Sequence, residues 1–412
     1  MTTRSRLLLV IPEFRDDPGR FGGLSSVARF ALSAFQADGK YDIEVVAPRM
    51  SRRASQSTKL VRPWTLFRSI SATRSVQGSG IPVTEVGAYL TEFEPFRYLP
   101  RKAITDLADK CDVALVICGS PAIAKVLSAS DIPVVIQAAT TIRAERAPQI
   151  SRMGRLRKIP TLVTTALVEK AEVSALRRAT KVLVENRAML EHGRSLIGEK
   201  TVLVAPGIDT EVFHPSEGSL EGDSYILSVG RLNDPRKRLS VLLHAYSRLK
   251  TKVPNCPRLV IASPEPIDGR SMALAEKLGL AGDIEYRVAL TREELAALYR
   301  QSCLFWLASS EEGLGMVFLE AMASGVPVVT TDTEGARYAI GEVGCGTLVP
   351  VEGQVSEALA TAAADILNSN DKGQALGRVG RSRAVENFSQ IVQGRRFVEE
   401  VDRAMPVMTE TK

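Results

Sequence analysis

Short apolar runs alternate with stretches of helical periodicity along most of the chain. In the first half, strand-like runs cover residues 6–11 and 42–48 and recur as DVALVIC, IPVVIQA and KVLVEN. Helical patterns, such as the one over residues 25–38, separate these runs. Alternation of short apolar strands with helices is typical of a parallel sheet that is covered by helices on both faces.

A second α/β series follows the segment 201–215, TVLVAPGIDTEVFHP, and the polar linker 216–223. The runs YILSVGR, RLVIAS, DIEYR, CLFWLASS and VPVVTT predict strands, and SVLLHAYSRLK and TREELAALYRQS predict helices. Residues 382–405 have a helical pattern without a strand. The pattern predicts two doubly wound domains, 1–205 and 206–389, whose ligands bind at the carboxyl ends of the strands.

The composition is that of a soluble globular protein, with 45% hydrophobic and 24% charged residues. No apolar stretch approaches the roughly 18 residues of a membrane-spanning helix. The apolar run near the start meets Pro12 and lacks a cleavage site, which favours a strand over a signal peptide. The five cysteines form no CxxC pair and the three histidines are dispersed, so we expect reduced thiols, a cytoplasmic location and no metal site.

Positive charge is concentrated in the first half. Residues 1–212 carry 31 Lys/Arg and 21 Asp/Glu, a net +10, whereas residues 213–412 carry 22 and 26, a net −4. The excess lies largely in residues 49–74 and 143–158, and the polar stretch 49–79 predicts a mobile loop. No nucleic-acid recognition module accompanies the charge, so nucleic acid is not expected as a partner. An anionic membrane surface and a solvated face without a partner both remain open.

Two carboxylates, Glu312 and Glu320, stand in the segment 311–329, EEGLGMVFLEAMASGVPVV. Because two glycines follow Glu312, we expect a loop that holds this residue and a helix that begins near Met316, with Glu320 about one turn inside it. Free N–H groups at such a junction, beside two carboxylates, suit a ligand with both phosphate and hydroxyl groups. A helix that only packs would explain the small residues but not the paired carboxylates.

A basic loop follows another strand in GRLNDPRKRLSVLLHAY, residues 230–246. Arg231 and Lys237 lie between the strand end and the next helix, where two cations suit a diphosphate. Arg236 and Arg238 could substitute for them, and a basic surface loop is the alternative. Glu311, next to the paired carboxylates, is expected to be a solvated loop charge.

Three loops of the first half are weaker candidates. Gly22 and Gly23 lie between a strand and a helix, where they could let the backbone approach a ligand or could form a tight turn. The residues that follow the runs DVALVIC and IPVVI could line a cleft, and a simple turn is the alternative for the first of them. These residues are Gly119, Ser120, Gln137, Thr140 and Thr141.

The chain resembles the retaining glycosyltransferases of family 4 (glycosyl transferases group 1). The matching segments are FGGLSSVARF, VLVAPGIDTEVFHP, SVGRLNDPRKRLSVLLHAY, SSEEGLGMVFLEAMASGVPVVTT and TEGARYAIGEVGCGTLVP. The resemblance is specific over residues 201–350 and looser over residues 1–200. It implies the GT-B fold, in which two Rossmann-like domains face each other across a cleft and a C-terminal helix, here about 390–412, returns to the first domain.

The resemblance also implies roles for the motif residues. Arg231 and Lys237 would bind the donor diphosphate and stabilise its leaving charge, Glu312 would contact the donor sugar, and these three would be the catalytic residues. Glu320 would bind the ribose hydroxyls, and Gly22 and Gly23 would close on the diphosphate. The loop and first helical turn after Glu312 would complete the donor site through Gly313, Leu314, Gly315, Met316 and Val317.

This sequence departs from the family pattern at three places. Many relatives carry a histidine after a first-domain strand, near the donor sugar; this chain has none there, and Gln137, Thr140 or Thr141 would fill that place. The usual glycine after the run RLVI is replaced by Ala262-Ser263, and the spacing from Arg231 to Lys237 is six residues instead of five. None of these changes removes a charge that the chemistry needs.

The expected activity is a metal-independent, retaining transfer of a sugar from a nucleotide-diphosphate sugar to an acceptor hydroxyl, without a cofactor. The acceptor would be a glycan, a lipid-linked sugar or a soluble small molecule, and synthesis of cell-surface polysaccharide or glycolipid fits peripheral binding to the inner face of the membrane. Two alternatives remain, namely a nucleotide-sugar epimerase or hydrolase and a non-catalytic donor-binding subunit.

Overall fold

The chain forms two compact α/β units in the computed structural model, which describes residues 4–12, 14, 23–51, 56–59, 70–76, 80–151, 153–216, 224–341 and 344–405. Unit 1 comprises Met1–Asp17, Val27–Ala205 and Gly394–Lys412, and unit 2 comprises Pro18–Ser26 and Pro206–Gln393. Each unit is built on one sheet whose strands alternate along the chain with helices. The expected class of two Rossmann-like α/β units is confirmed.

Unit 1 contains a sheet of eight strands in the order β3-β4-β2-β1-β5-β6-β7-β8. The strands are β1 (Ser5–Val10), β2 (Tyr41–Pro48), β3 (Ala72–Val76), β4 (Pro82–Val86), β5 (Val113–Cys118), β6 (Val134–Ala138), β7 (Lys181–Val184) and β8 (Thr201–Leu203). Neighbouring strands are parallel except β3 and β4, which pair antiparallel.

Helices cover this sheet, so its central strands are apolar on both faces. The helices before the second unit are α1 (Gly23–Asp38), α2 (Lys102–Ala108), α3 (Ile142–Ser151), α4 (Arg155–Arg178) and α5 (Arg187–Ile197). Short 3-10 helices lie at Glu94–Tyr98 and Pro121–Leu127. All six residues of β5 are buried, which accounts for the continuous apolar run VALVIC.

Strand β3 corrects one expectation. The polar stretch 49–79 was expected to be a mobile loop, but its residues Ala72–Val76 pair along the whole of β4 at the edge of the sheet. Four of the five side chains of β3 are exposed, so the strand lacks the apolar signal that marks the others. Residues 52–55, 60–69 and 77–79 of this stretch lie outside the described part.

Unit 2 contains a parallel sheet of six strands in the order β11-β10-β9-β12-β13-β14. The strands are β9 (Tyr225–Val229), β10 (Leu259–Ser263), β11 (Ile284–Val288), β12 (Ser302–Leu307), β13 (Val328–Thr331) and β14 (Gly346–Val349). The helices are α6 (Leu239–Lys252), α7 (Gly269–Lys277), α8 (Arg292–Gln301), α9 (Met316–Ala323), α10 (Glu334–Ala336), α11 (Val355–Leu367) and α12 (Asn370–Phe388).

The strand order of unit 2 fixes where a ligand can enter. The chain builds outward from β9 to β10 and β11, and then crosses to the other side of β9 to build β12, β13 and β14. The loops after β9 and β12 therefore diverge from adjacent strands, and open α/β sheets bind ligands at such a switch point. The basic loop and the glutamate segment are these two loops.

The last helix, α13 (Gln390–Asp402), belongs to unit 1 from Gly394 onward. A Cβ at Gly394 would lie 3.2 Å from the Cβ of Ala34, and the rings of Phe30 and Phe397 meet edge to face at 5.2 Å. The close helix approach and the aromatic pair dock this C-terminal segment on α1.

Candidate functional site

Hydrogen bonds join the loops that follow β9 and β12, and one of them is between backbone groups. The amide of Ser310 donates to the carbonyl of Arg236 at 2.7 Å. Arg238 adopts a left-handed conformation with φ 48°, and its guanidinium donates to the carbonyls of Ala308 at 2.7 Å and Val351 at 2.8 Å. Arg238 therefore acts as a structural clamp between the loops, and not as the substitute phosphate ligand that the sequence allowed.

Lys237 and Glu312 form an ion pair between these loops. The ammonium of Lys237 lies 2.5 Å from Oε1 of Glu312, and the hydroxyl of Ser309 donates to the same oxygen at 2.6 Å. The two charged side chains are only 13% and 9% exposed. Burial of both charges costs hydration, so such a pair adds little net stability. The structure thus brings together one predicted cation and one predicted carboxylate at the switch point.

Arg231 remains accessible at the mouth of the same loop. It follows Gly230, whose φ of 154° places the turn directly after β9. The Arg231 side chain is 58% exposed, and its guanidinium lies 3.7 Å from Asp234. Burial acts to raise the pKa of Asp234, but hydrogen bonds and charge from Arg236, with a smaller contribution from Arg231, hold it below its ordinary value. The Asp234 carboxylate is thus ionised and orders this loop.

Glu311 is not the solvated loop charge that the sequence predicted. Its carboxylate pairs with the guanidinium of Arg236 at 2.8 Å, and Arg236 also pairs with Asp234 at 2.7 Å. The three side chains are 14–21% exposed. This network links the glutamate segment to the basic loop, because the Glu311 carboxylate of one loop pairs with the Arg236 guanidinium of the other. The pairing depends on the strand order and could not be deduced from the spacing along the chain.

A tight glycine turn leads from Glu312 into α9. Gly315 has φ 79°, and a Cβ at this position would lie 2.4 Å from the ring of Phe318. A Cβ at Gly335 would lie 2.8 Å from the carbonyl oxygens of Glu312 and Gly313. Both positions need glycine. Gly315 lies in the turn itself and Gly335 lies against its backbone, so close packing on both sides fixes the conformation of the turn. The expected helix start at Met316 is confirmed.

The first turn of α9 presents backbone N–H groups at the end of this loop. N–H groups in the first turn of a helix have no acceptor within the helix, and the helix dipole favours an anion there. Leu314 and Met316 are buried, whereas Val317 is partly exposed. The side chains of Leu314 and Met316 therefore pack inward, and the polar groups of this junction are those of the backbone.

Glu320 lies one turn inside α9 and is 7% exposed. The hydroxyl of Tyr299, a fully buried residue of α8, donates to its Oε2 at 2.8 Å. Burial and the neighbouring Glu320 raise the pKa of the Tyr299 hydroxyl well above its ordinary value, so it stays a donor. The second predicted carboxylate is thus oriented by a tyrosine that no sequence motif singled out.

In unit 1, a buried carboxylate ties the strand-end loops together. Glu172 of α4 accepts hydrogen bonds from the Ser120 hydroxyl at 2.6 Å and from the amide of Ile142 at 2.7 Å. The amide of Thr140 donates to the carbonyl of Gly119 at 3.0 Å. The loops after β5 and β6 are therefore neighbours, and Glu172 fixes both. Ser120 also caps the 3-10 helix that follows it.

Gln137 is buried at 1% exposure, with its amide nitrogen 3.0 Å from the carboxylate of Glu185. Glu185 directly follows β7, and burial raises its pKa to about 7. Thr141, by contrast, is partly exposed and accepts a hydrogen bond from the amide of Ala144 at the start of α3. Of the five cleft candidates in unit 1, the structure engages Gln137 most deeply in the core.

Gly23 is the first residue of α1, and a Cβ there would meet nothing within 4 Å. Gly22 lies outside the described residues. Across the described ranges, no group of three or more His, Cys, Asp or Glu side chains is arranged to hold a metal ion.

Sequence reasoning missed Ser309, Tyr299, Glu172 and Glu185. Glu185 carried a signal, because a Glu-Asn pair directly after a buried strand lies where ligand-binding side chains gather. Tyr299 and Glu172 stand in ordinary helical patterns, and only the packing of those helices shows their carboxylate contacts.

Residues 209–383 match the model of the family described as glycosyl transferases group 1. The match covers the loops after β9 and β12 and most of unit 2. It therefore agrees with the part of the chain over which the sequence resemblance was specific.

Two curated proteins are similar to this chain over part of its length. The MMP alpha-(1->4)-mannosyltransferase of Mycolicibacterium hassiacum is 33% identical over 192 residues, which are 46% of this chain and 45% of that protein. The GDP-mannose-dependent alpha-(1-6)-phosphatidylinositol monomannoside mannosyltransferase of Mycolicibacterium smegmatis is 29% identical over 248 residues, or 55% and 64%. The chain thus spans between about half and two thirds of the length of these relatives.

Among solved structures, sucrose-phosphate synthase from Thermosynechococcus elongatus superposes with a TM-score of 0.70. The match covers 97% of this chain and 99% of that one at 17% sequence identity. Similarity at this level shows a shared fold, and the chain therefore has the GT-B fold.

Proposed function

We propose that this protein is a retaining glycosyltransferase that moves a sugar from a nucleotide-diphosphate sugar to an acceptor hydroxyl. The observation that carries the proposal is the Lys237–Glu312 pair, held between the loops at the switch point of unit 2. The match of residues 209–383 to the glycosyl transferases group 1 model supports it. Both mannosyltransferase relatives transfer sugars by name, and one of them is named as dependent on GDP-mannose.

Charge separation is the difficult step of such a transfer. When the bond between the anomeric carbon and the diphosphate oxygen breaks, negative charge builds on the leaving diphosphate. Arg231, Lys237 and the N–H groups at the start of α9 converge on one end of the unit 2 sheet, where preorganised charges stabilise a developing anion. We assign this stabilisation to the protein itself, without a metal ion.

The carboxylates have binding roles in this proposal. Lys237 and Ser309 both contact Oε1 of Glu312, which leaves Oε2 to accept a hydrogen bond from a donor-sugar hydroxyl. Glu320, oriented by Tyr299, accepts from the ribose hydroxyls. The new bond forms between the acceptor oxygen and the anomeric carbon on the face from which the diphosphate departs, and the acceptor proton passes to the diphosphate.

Unit 2 would hold the donor in this scheme, and the loops at the strand ends of unit 1 would meet the acceptor. We propose a glycan or a lipid-linked sugar of the cell surface as the acceptor, with the enzyme peripheral on the cytoplasmic face of the membrane. One relative is named for an acceptor with a phosphatidylinositol anchor, and residues 1–212 carry a net charge of +10, from 31 basic and 21 acidic residues.

The test is a panel of nucleotide-diphosphate sugars incubated with lipid extracts and with soluble sugars, followed by product mass and by NMR of the new anomeric linkage. We expect one donor to give a glycosylated product whose anomeric configuration is that of the donor. A product of inverted configuration would refute the retaining mechanism. Donor turnover to free sugar or to an epimer with every acceptor would favour a hydrolase or an epimerase, and donor binding without turnover would favour a non-catalytic subunit.

A further inference from the structure

Helix α4 of unit 1 turns an apolar face outward over its first three turns. Five large hydrophobic side chains are exposed there: Leu156 at 92%, Ile159 at 65%, Val163 at 56%, Leu167 at 47% and Leu162 at 46%. Together they expose roughly 500 Å² of apolar surface, which is the size of the largest apolar patch on a typical soluble monomer, and such patches are often functional.

The opposite side of α4 is the one that packs on unit 1. Thr165, Val168, Glu172 and Leu176 are buried and follow helical spacing on that side. The outward face of the later turns carries polar and charged residues such as Lys170 and Arg177, which are exposed. The outward apolar face is therefore a local feature of residues 156–167. The helix as a whole is oriented normally, since its other side is buried against unit 1.

Two further exposed aromatic residues lie on a neighbouring element. The 3-10 helix Glu94–Tyr98 packs against α4, and Phe93 and Phe96 at its start are 50% and 42% exposed. Their rings lie 6.2 Å apart. Arg146 of α3 pairs with Glu94 at 2.5 Å and donates to the Thr165 hydroxyl at 3.1 Å, so it ties the 3-10 helix to α4. We call the exposed residues of α4 with these two phenylalanines the apolar face.

Positive charge flanks the apolar face. Residues 142–158 contain six Lys/Arg and one Glu, a net +5, and residues 156–167 contain no acidic residue. Arg143, the first of these cations, is 76% exposed and pairs with Glu169 of α4. A surface that combines exposed leucine, isoleucine and phenylalanine with a cationic border is complementary to an anionic lipid bilayer. The acyl chains would meet the apolar side chains, and the anionic headgroups would meet the cations.

The dimensions favour a helix that lies on a bilayer. The apolar face covers twelve residues of α4, about 18 Å, well short of the roughly 30 Å hydrocarbon core. In the described part of the chain, no helix is long and apolar enough to cross a membrane. Phenylalanine belongs with leucine on the apolar side of an interfacial helix, so Phe93 and Phe96 would enter the boundary between headgroups and acyl chains.

We infer that the apolar face is the surface by which this protein docks on an anionic lipid bilayer, with α4 parallel to the membrane plane. This inference deepens the proposed function, on which it rests for its purpose, because it names the surface that would meet a membrane carrying a lipid-linked acceptor. Binding itself requires no donor and no acceptor, so it can fail or succeed independently of sugar transfer.

The test is co-sedimentation of the full chain with vesicles of phosphatidylcholine, with and without anionic phosphatidylglycerol as the experimental probe. The triple variant Leu156→Gln, Ile159→Gln, Val163→Gln removes apolar contacts while glutamine preserves helix propensity. We expect partitioning onto anionic vesicles to fall at least about tenfold. The matched control Val76→Gln, Met272→Gln, Ile391→Gln changes three exposed apolar residues elsewhere and should bind as the wild type does.

A second variant separates insertion from charge attraction. Leu156→Trp should show a blue-shifted emission with anionic vesicles, because the indole enters the headgroup region. Arg155→Gln, Arg157→Gln, Lys158→Gln should weaken binding, and the wild-type complex should weaken with salt.

Equal binding by the apolar triple variant and the wild type would overturn the inference, as would the absence of binding to anionic vesicles at low salt. Sedimentation velocity tests another occupant. A concentration-dependent dimer that the apolar triple variant abolishes, together with no lipid binding, would assign the face to a second copy of the chain.

Discussion

Glu185→Gln should remove a large pH dependence from the stability of unit 1. The wild-type carboxyl is 5% exposed beside Gln137, and burial raises its pKa from 4.5 to about 7. The amide oxygen of Gln137 has no hydrogen-bond partner among the described residues, and a protonated Glu185 can donate to it. The folded chain therefore keeps a proton that the unfolded chain releases between pH 4.5 and 7.

The direction of the pH dependence follows from this pKa difference between the folded and unfolded states. Because the pKa is higher in the folded state, the contribution of Glu185 to stability is complete below pH 4.5 and is lost as the pH rises through 7. The pKa difference of about 2.5 corresponds to about 3 kcal/mol. Glutamine does not titrate, so the free energy of unfolding of the variant relative to the wild type should rise by about 3 kcal/mol between pH 4.5 and 8.

Hydrogen exchange of the β6 and β7 amides, corrected for intrinsic rates and measured across this pH range, reports the opening free energy of unit 1 directly. Glu191→Gln is the matched control, because Glu191 is an exposed glutamate of α5. The control should follow the wild type at every pH. A difference between Glu185→Gln and the wild type that stays constant from pH 4.5 to 8 would refute the reasoning.

Three further outcomes follow from unit 2. Tyr299→Phe removes the hydroxyl that donates a hydrogen bond to Glu320, so the KM for the nucleotide-sugar substrate should rise. The melting temperature should fall, with a loss of about 1–3 kcal/mol in the free energy of unfolding. Unchanged values for both would contradict the orienting role. Gly315→Ala should cost about 1–3 kcal/mol more in thermal unfolding than Gly353→Ala, because both glycines have positive φ but only Gly315 would bring a Cβ against a ring; equal losses would argue against a fixed turn. Chelation by EDTA should leave sugar transfer unchanged, and a loss that Mg²⁺ restores would show that a metal shares the charge stabilisation.

The sequence predicted the sheets of both units because their central strands are continuous apolar runs. It also placed the basic loop and the glutamate segment at strand ends, and the strand order then explains why these loops meet. The start of α9 was predictable from the two glycines, since Gly315 has a conformation that other residues rarely adopt.

Edge strands and distant side-chain contacts were not predictable in the same way. Strand β3 is polar and exposed, so its own sequence pattern does not mark it as a strand. Only its pairing with β4 in the structure shows it. The contact of Tyr299 with Glu320 joins residues 21 positions apart on different helices. The pairing of Arg236 with Glu311 spans 75 positions, and either residue alone resembles a solvated surface charge.

The rate of sugar transfer by Lys237→Met is the most direct test of the donor site. Lys237 is placed to neutralise the leaving diphosphate, so its removal should lower kcat by about 10²–10³, while the donor still binds. Lys250→Met is the matched control, because Lys250 pairs with Asp283 elsewhere in unit 2 and should leave kcat unchanged. A Lys237→Met enzyme that transfers sugar at the wild-type rate would contradict the account.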